Sequence, residues 1–228
     1  MKRSMSIGMI ASVILAGLLL QGCKHDQPRT FAVTVTNLTD NQPFSPLAAV
    51  THEIVYQGVS VGVSASDGLE RLAESGDNSA FLAEADADSN VEMSVSGSGL
   101  ILPGETEDLV LYAKKNAYLL SLASMLVNTN DGIVVIDGMD LGNLKPGEKV
   151  FYFAAAYDAG TEGNSEAMSD IPGPAGGGEG YNADRDDRNV VAVHAGVIGN
   201  EDGLPGSVLS NSHRFDNPVA RVVVTRID

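Results

Sequence analysis

The chain has no tryptophan and only one cysteine, Cys23, in 228 residues. One thiol closes no internal disulfide and builds no cysteine zinc site, which excludes disulfide-stapled scaffolds and zinc modules of that type. Basic residues are scarce as well: fourteen Lys and Arg stand against thirty Asp and Glu, a formal net charge of −16. Such a surface repels the phosphates of nucleic acid, and it repels anionic lipid unless a cation intervenes, so no nucleic-acid partner is expected. A long apolar run is missing too. The longest, Ile7 to Leu20, is interrupted by Gly and Ser and falls short of the roughly twenty apolar residues that a spanning helix needs.

That run has a different use. Lys2 and Arg3 precede it, and Leu20-Gln21-Gly22-Cys23-Lys24 closes it. A basic start, an apolar centre and a small residue before the cut describe a secretory signal. Leu-x-Gly-Cys resembles the lipobox of bacterial lipoproteins, in which the cysteine is acylated and becomes the mature N-terminus. The expectation is a signal peptide at 1–22, an acylated Cys23 with a short tether to residue 30, and one folded domain over 31–228. Lys24 after the cysteine, rather than Asp, matches the sorting pattern of lipoproteins destined for an outer membrane. Cleavage removes two basic residues and no acidic one, leaving twelve against thirty and a mature charge of −18.

The remaining pattern is that of strands. Phe31, Val33 and Val35 alternate with Ala32, Thr34 and Thr36, and Val91, Met93 and Val95 alternate with polar residues. Further strands are expected at 48–56, 109–112, 118–127, 133–136, 150–156, 189–197 and 220–227. The segment from Asp67 reads as a short helix, with Asp67 as cap, Glu70 three residues on and Gly76 as stop. A second helical turn is expected from 78 to 85. Residues 163–189 form a Gly-, Pro- and Asp-rich loop, long for a compact domain. The expected fold is an all-β antiparallel sandwich with a helical excursion near 67–85.

Two acidic turns stand where buried strands surface: Met125 to Gly132, carrying Asp131, and Tyr157 to Asn164, carrying Asp158 and Glu162. Asx-Gly turn chemistry alone accounts for such segments. The alternative is a site for a hard cation, which takes oxygen ligands from loops of this kind.

The ordered set Ser45-Pro46 with Thr51-His52, Leu69 to Gly76, Leu122-Ala123-Ser124-Met125-Leu126 to Asp131, Tyr157-Asp158-Ala159-Gly160-Thr161-Glu162 and Val219 to Ile227 resembles the spondin N-terminal domain family. The resemblance implies a C2-like or immunoglobulin-like sandwich and a calcium site, with Asp131, Asp158 and Glu162 at the ligand positions. It also implies a non-enzymatic adhesion or recognition role. Animal members carry cysteines that this chain lacks, and they have Asp where this chain has Glu162.

Other motifs are incomplete. Asn182 to Asp187 starts like an EF-hand loop but has Asp187 and Val193 where Gly and Glu belong. His52-Glu53 lacks the second histidine of a zincin helix, since position 56 is tyrosine. Ser98 between two glycines is no nucleophile elbow. The functional expectation is a calcium-binding, surface-anchored adhesion module, attached to the membrane through Cys23 and recognising a protein, glycan or lipid head group. The alternatives are an accessory envelope lipoprotein with structural calcium and a metal-dependent hydrolase.

Overall fold

The computed structural model describes residues 27–114 and 116–228. The expected signal peptide at 1–22 and Cys23, the expected acylation site, lie outside the described residues. Within them nine strands and two short helices run in chain order: β1 (Arg29–Asn37), β2 (Ala48–His52), α1 (Asp67–Ser75), α2 (Ser79–Ala87), β3 (Val91–Ser96), β4 (Thr106–Ala113), β5 (Leu119–Met125), β6 (Gly132–Asp140), β7 (Lys149–Asp158), β8 (Ala192–Val193) and β9 (Ala220–Arg226). The strands are ordered β3-β2-β5-β6-β7-β9-β1-β4, with β8 on β7, and every pair is antiparallel.

β7 joins two layers. Its first half pairs with β9, from Lys149 opposite Thr225 to Ala154 opposite Ala220. Its second half pairs with β6, from Ala155 opposite Val135 to Asp158 opposite Gly132. One layer is therefore β4-β1-β9-β7 and the other β3-β2-β5-β6-β7. Phe31, Val33, Val35, Leu109 and Leu111 of the first pack against Ala49, Leu120, Leu122, Val134 and Ile136 of the second, forming the main core.

The second layer is covered on its far side as well. α1 and α2 bring Leu69, Leu72, Phe81, Leu82 and Ala85 onto Val50, Ala123, Ile133 and Val135. That is why β2 is buried along its whole length and β5 and β6 read as nearly continuous apolar runs, whereas β1 and β4 alternate. Among the described residues the first layer has no such cover.

Three local expectations change. Ser66, not Asp67, caps α1, its side chain accepting from the Leu69 N–H; Gly76 ends the helix in the left-handed region as expected. The strand expected over 189–197 shrinks to the two residues of β8. The extended stretch expected to reach Tyr56 stops at His52, which is buried and bonded to Ser121 Oγ at 2.8 Å.

Candidate metal centre

The β5–β6 connection, residues 126–131, is buried throughout. A buried turn must satisfy its backbone internally, and its side chains do this. Thr129 Oγ1 donates to Leu126 O at 2.6 Å and accepts from the Gly132 N–H at 2.8 Å. Asn128 donates to Asn41 O and accepts from the Ala175 N–H. Gln42 brackets the turn, accepting from the Asn128 N–H and donating to Asn128 O. Gly132 is required because a Cβ there would stand 2.6 Å from Thr129 Oγ1.

This frame carries Asp131 to the end of β7. The pairing of Gly132 with Asp158 places the two acids at one strand end, and the Ala159 N–H bonds Asp131 O at 3.2 Å. Gly160 turns the chain at φ +72°, with a Cβ-forbidding contact to Val190 O. The next residues then fold back, so that Asp131 Oδ2 accepts from the Thr161 N–H at 2.8 Å, the Thr161 hydroxyl at 3.3 Å and the Glu162 N–H at 3.2 Å. Asp131 Oδ1 is buried and has no hydrogen-bond partner. Asp158 is buried too, accepting from the Gly160 N–H and from the Asn164 amide at 2.7 Å. The exposed Arg188 guanidinium reaches Asp158 only at 4.0 Å.

The three expected residues are thus brought to one place, but their roles differ. Asp131 and Asp158 are neighbouring buried carboxylates. Glu162 meets Asp131 through its backbone, while its carboxyl lies near Asn130, Glu74 and Asp170. Among the described residues, no group of three or more His, Cys, Asp or Glu is arranged to hold a metal ion.

The charges are nevertheless uncomfortable. Burial, then the Asp158 carboxylate, pushes Asp131 up to about 7. Burial pushes Glu162 up to about 8; the Asn130 side chain opposes this, and Glu74, Asp170 and Asp131 add to it. Burial makes the ionised form of a carboxyl group costly, which is why these acids are shifted upward.

Several residues of this end escape motif reading. Glu166 is buried at positive φ, its Oε1 accepting from the Ile198 N–H and its Oε2 without a partner, and burial pushes it up to about 7. His194 is buried with Nε2 unpartnered, and burial lowers its pKa against the pull of Asp158. Glu74 on α1 accepts from the Asn182 N–H. The one available signal for the helix acids was their spacing: Glu70 and Glu74 stand four apart among the core-facing Leu69, Leu72 and Ala73 of α1.

The 163–189 loop lacks regular structure but is firmly attached. Arg185 makes a paired bond to the buried Glu70 at 2.9 and 2.7 Å, and the Arg71 guanidinium lies 3.9 Å from the centre of the Tyr181 ring. The EF-hand-like stretch therefore serves as a clasp on α1. The Asp186 N–H bonds Thr161 O, and Asp186 Oδ1 accepts from the Gly163 N–H, so the clasp also braces the acidic turn. Beside it a cleft of about 370 Å³ opens between Ser75, Met125, Val127 and the Pro172–Gly177 loop.

A two-layer antiparallel sandwich with polar loops gathered at one end defines a β-sandwich module of the kind that presents loops for recognition. The family model described as Spondin_N matches residues 23–173. The chain belongs to the spondin N-terminal domain family, whose domain type is non-enzymatic and serves extracellular recognition or adhesion. No curated protein matches the chain.

Proposed function

We propose that this chain is a calcium-binding recognition or adhesion module of a bacterial envelope, lipid-anchored through Cys23, probing protein, glycan or lipid head groups with the loops of its acidic end. The observation that carries the calcium reading is the buried pair Asp131 and Asp158, with Asp131 Oδ1 left without a partner. A divalent cation supplies the missing charge. It takes six to eight oxygens, so two aspartates leave room for Glu162, backbone carbonyls and water. Asp131 and Asp158 would hold the ion, joined by Glu162 once its carboxyl turns inward from Asn130, Glu74 and Asp170, and its effect would be to pin the Asp131 turn, the Thr161 turn and the Arg185 clasp as one surface.

Calcium titration of the chain beginning after Cys23, followed by thermal unfolding, tests this. Binding to the native state alone raises the melting temperature. Asp158→Ala abolishes the rise; an undiminished rise in that variant refutes the site. Digestion of intact cells with added protease tests display at the surface. Full protection there supports the accessory-lipoprotein alternative instead.

A further inference from the structure

Among the described residues no element covers the outer face of the β4-β1-β9-β7 layer, which exposes large apolar side chains among threonines and a few charged residues. Strand register places its outward residues in rows. Phe151 stands opposite Val223, then Thr34 and Asp108; Lys149 stands opposite Thr225, then Ala32 and Val110; Thr30 stands opposite Tyr112; and Phe153 stands opposite Arg221. Phe151 is 65% exposed, Phe153 56%, Val110 58% and Tyr112 40%. The two phenylalanine rings meet edge to face at 6.1 Å, forming one raised apolar ridge. Isolated exposed apolar residues need no explanation, but here two phenylalanines share a ridge on β7 beside Val223, and Val110 and Tyr112 stand exposed on β4, across β9 and β1 from it, with threonines and charged residues between.

The charge on this face is also exceptional. Its outward positions carry Lys149 and Arg221 against Asp108, which accepts from the Thr34 hydroxyl, and Asp228 at its edge, which accepts from the Thr30 hydroxyl, so the face is balanced in charge. Elsewhere acids outnumber bases more than two to one. This is the face on which anionic head groups would not be repelled.

The position of the anchor selects the occupant. β1 belongs to this layer and begins at Arg29, six residues after Cys23. Six extended residues reach about 20 Å at most, which holds the face within its own dimensions of the bilayer. Phe, Tyr and basic side chains are the residue types that settle at a lipid–water boundary. The helix-covered layer, which carries α1 and its clasp, is on the opposite side of the sandwich.

We propose that the outer face of β4-β1-β9-β7, with Phe151 and Phe153 at its centre, lies against the lipid surface to which Cys23 is anchored, turning the helix-covered layer and its clasp to water. The assignment rests on the lipid-anchor reading above. The absence of tryptophan makes it directly measurable. The full chain carrying Phe151→Trp is purified with its acyl groups from a Gram-negative host and reconstituted into phosphatidylethanolamine and phosphatidylglycerol vesicles with brominated acyl chains. Val110→Trp provides a second reporter on the face, and Tyr181→Trp a control on the clasp. Both face reporters lose emission by about two-fold or more, the extent expected of side chains at the head-group and acyl boundary, and the clasp reporter does not. Vesicle flotation and the mass of Cys23 report the anchor separately. Acylated, floating protein whose face reporters are unquenched overturns the face and leaves the anchor standing. Unacylated protein that does not float overturns both. Concentration-dependent shielding of the Phe151→Trp reporter without bromolipid quenching assigns the face to a second copy of the chain and overturns the lipid assignment.

Discussion

The two ends of β7 live under opposite rules. At its start, Phe151 and Phe153 hold large apolar surfaces in water; at its end, Asp158 joins Asp131 in the interior. Phe151 and Phe153 stand seven and five residues before Asp158 on this strand, so about 17–23 Å separates the two regions. Each is the residue choice that packing alone disfavours, and each is accounted for by one of the two proposals above: a cation at one end, a lipid surface at the other. The acidic end also contains its own internal control. Glu70 is a buried acid with a partner, bonded twice by Arg185, whereas Asp131 is a buried acid with backbone and hydroxyl donors on one oxygen and none on the other.

That contrast ranks the expected effects of breaking each feature. Arg185→Ala should be the most damaging, because it leaves Glu70 buried without a counter-charge and releases the clasp from α1. Breaking such a pair costs about 3–5 kcal/mol, readable as a lower denaturation midpoint with or without calcium. Asp131→Asn should behave oppositely. It removes a charge that has no cation, so in chelator the variant is as stable as the parent or more so, by roughly 1–3 kcal/mol. It should lose the calcium response at the same time, and equilibrium unfolding in both buffers separates the two effects.

The pH dependence follows from the same acids. Asp131 and Glu166, pushed to about 7, and Glu162, pushed to about 8, bind protons more tightly folded than unfolded. Their contribution is fully present below the ordinary carboxyl range and is lost as pH rises through 7 to 8. In chelator, melting temperature should therefore fall between about pH 5 and about pH 8, and calcium should restore it most at the alkaline end. A chelator profile that rises over that window contradicts the assignment of these acids as buried and unpaired.

The smallest effect on stability is expected on the other face. Phe151→Ser with Phe153→Ser removes exposed rings that support no core, so unfolding should shift by no more than about 0.5 kcal/mol. A large loss of stability would show that the ridge packs against the protein itself.

The sandwich was legible where periodicity is strong. β1 and β4 each have one face in the core, and the alternation of Phe31, Val33 and Val35 reports it directly, whereas β3 alternates in sequence but is half-buried nearly throughout. β5 is buried on both faces, so its apolar run carries no period, and only the Asn-Thr-Asn-Asp-Gly turn distinguished it from a helix. The Asn189–Val197 segment has a strand-like sequence yet contributes two paired residues, because its backbone is used instead on two loops: the Asn189 N–H bonds Gly160 O in the acidic turn and the Val191 N–H bonds Val63 O between β2 and α1. Within the candidate centre, Asp131 and Asp158 could be found because turn signals flank them and the family resemblance picks them out. His194 reads from the sequence as a core histidine and is buried as such; Glu166 could not be found, since its burial is set by loop packing over sequence separations that no local pattern records. The clasp was invisible for the same reason: the Arg185–Glu70 pair spans 115 positions.

The central claim is that a divalent cation completes the Asp131–Asp158 pair, and thermal unfolding at about pH 8 tests it most directly. Calcium at a hundred-fold excess over its dissociation constant contributes about 2.7 kcal/mol, which for a chain of this size is a rise on the order of 5–10 °C. The parent protein should show that rise and Asp131→Asn should show none. Equal melting temperatures with calcium and with chelator in the parent protein, or an equal rise in both proteins, would contradict the account.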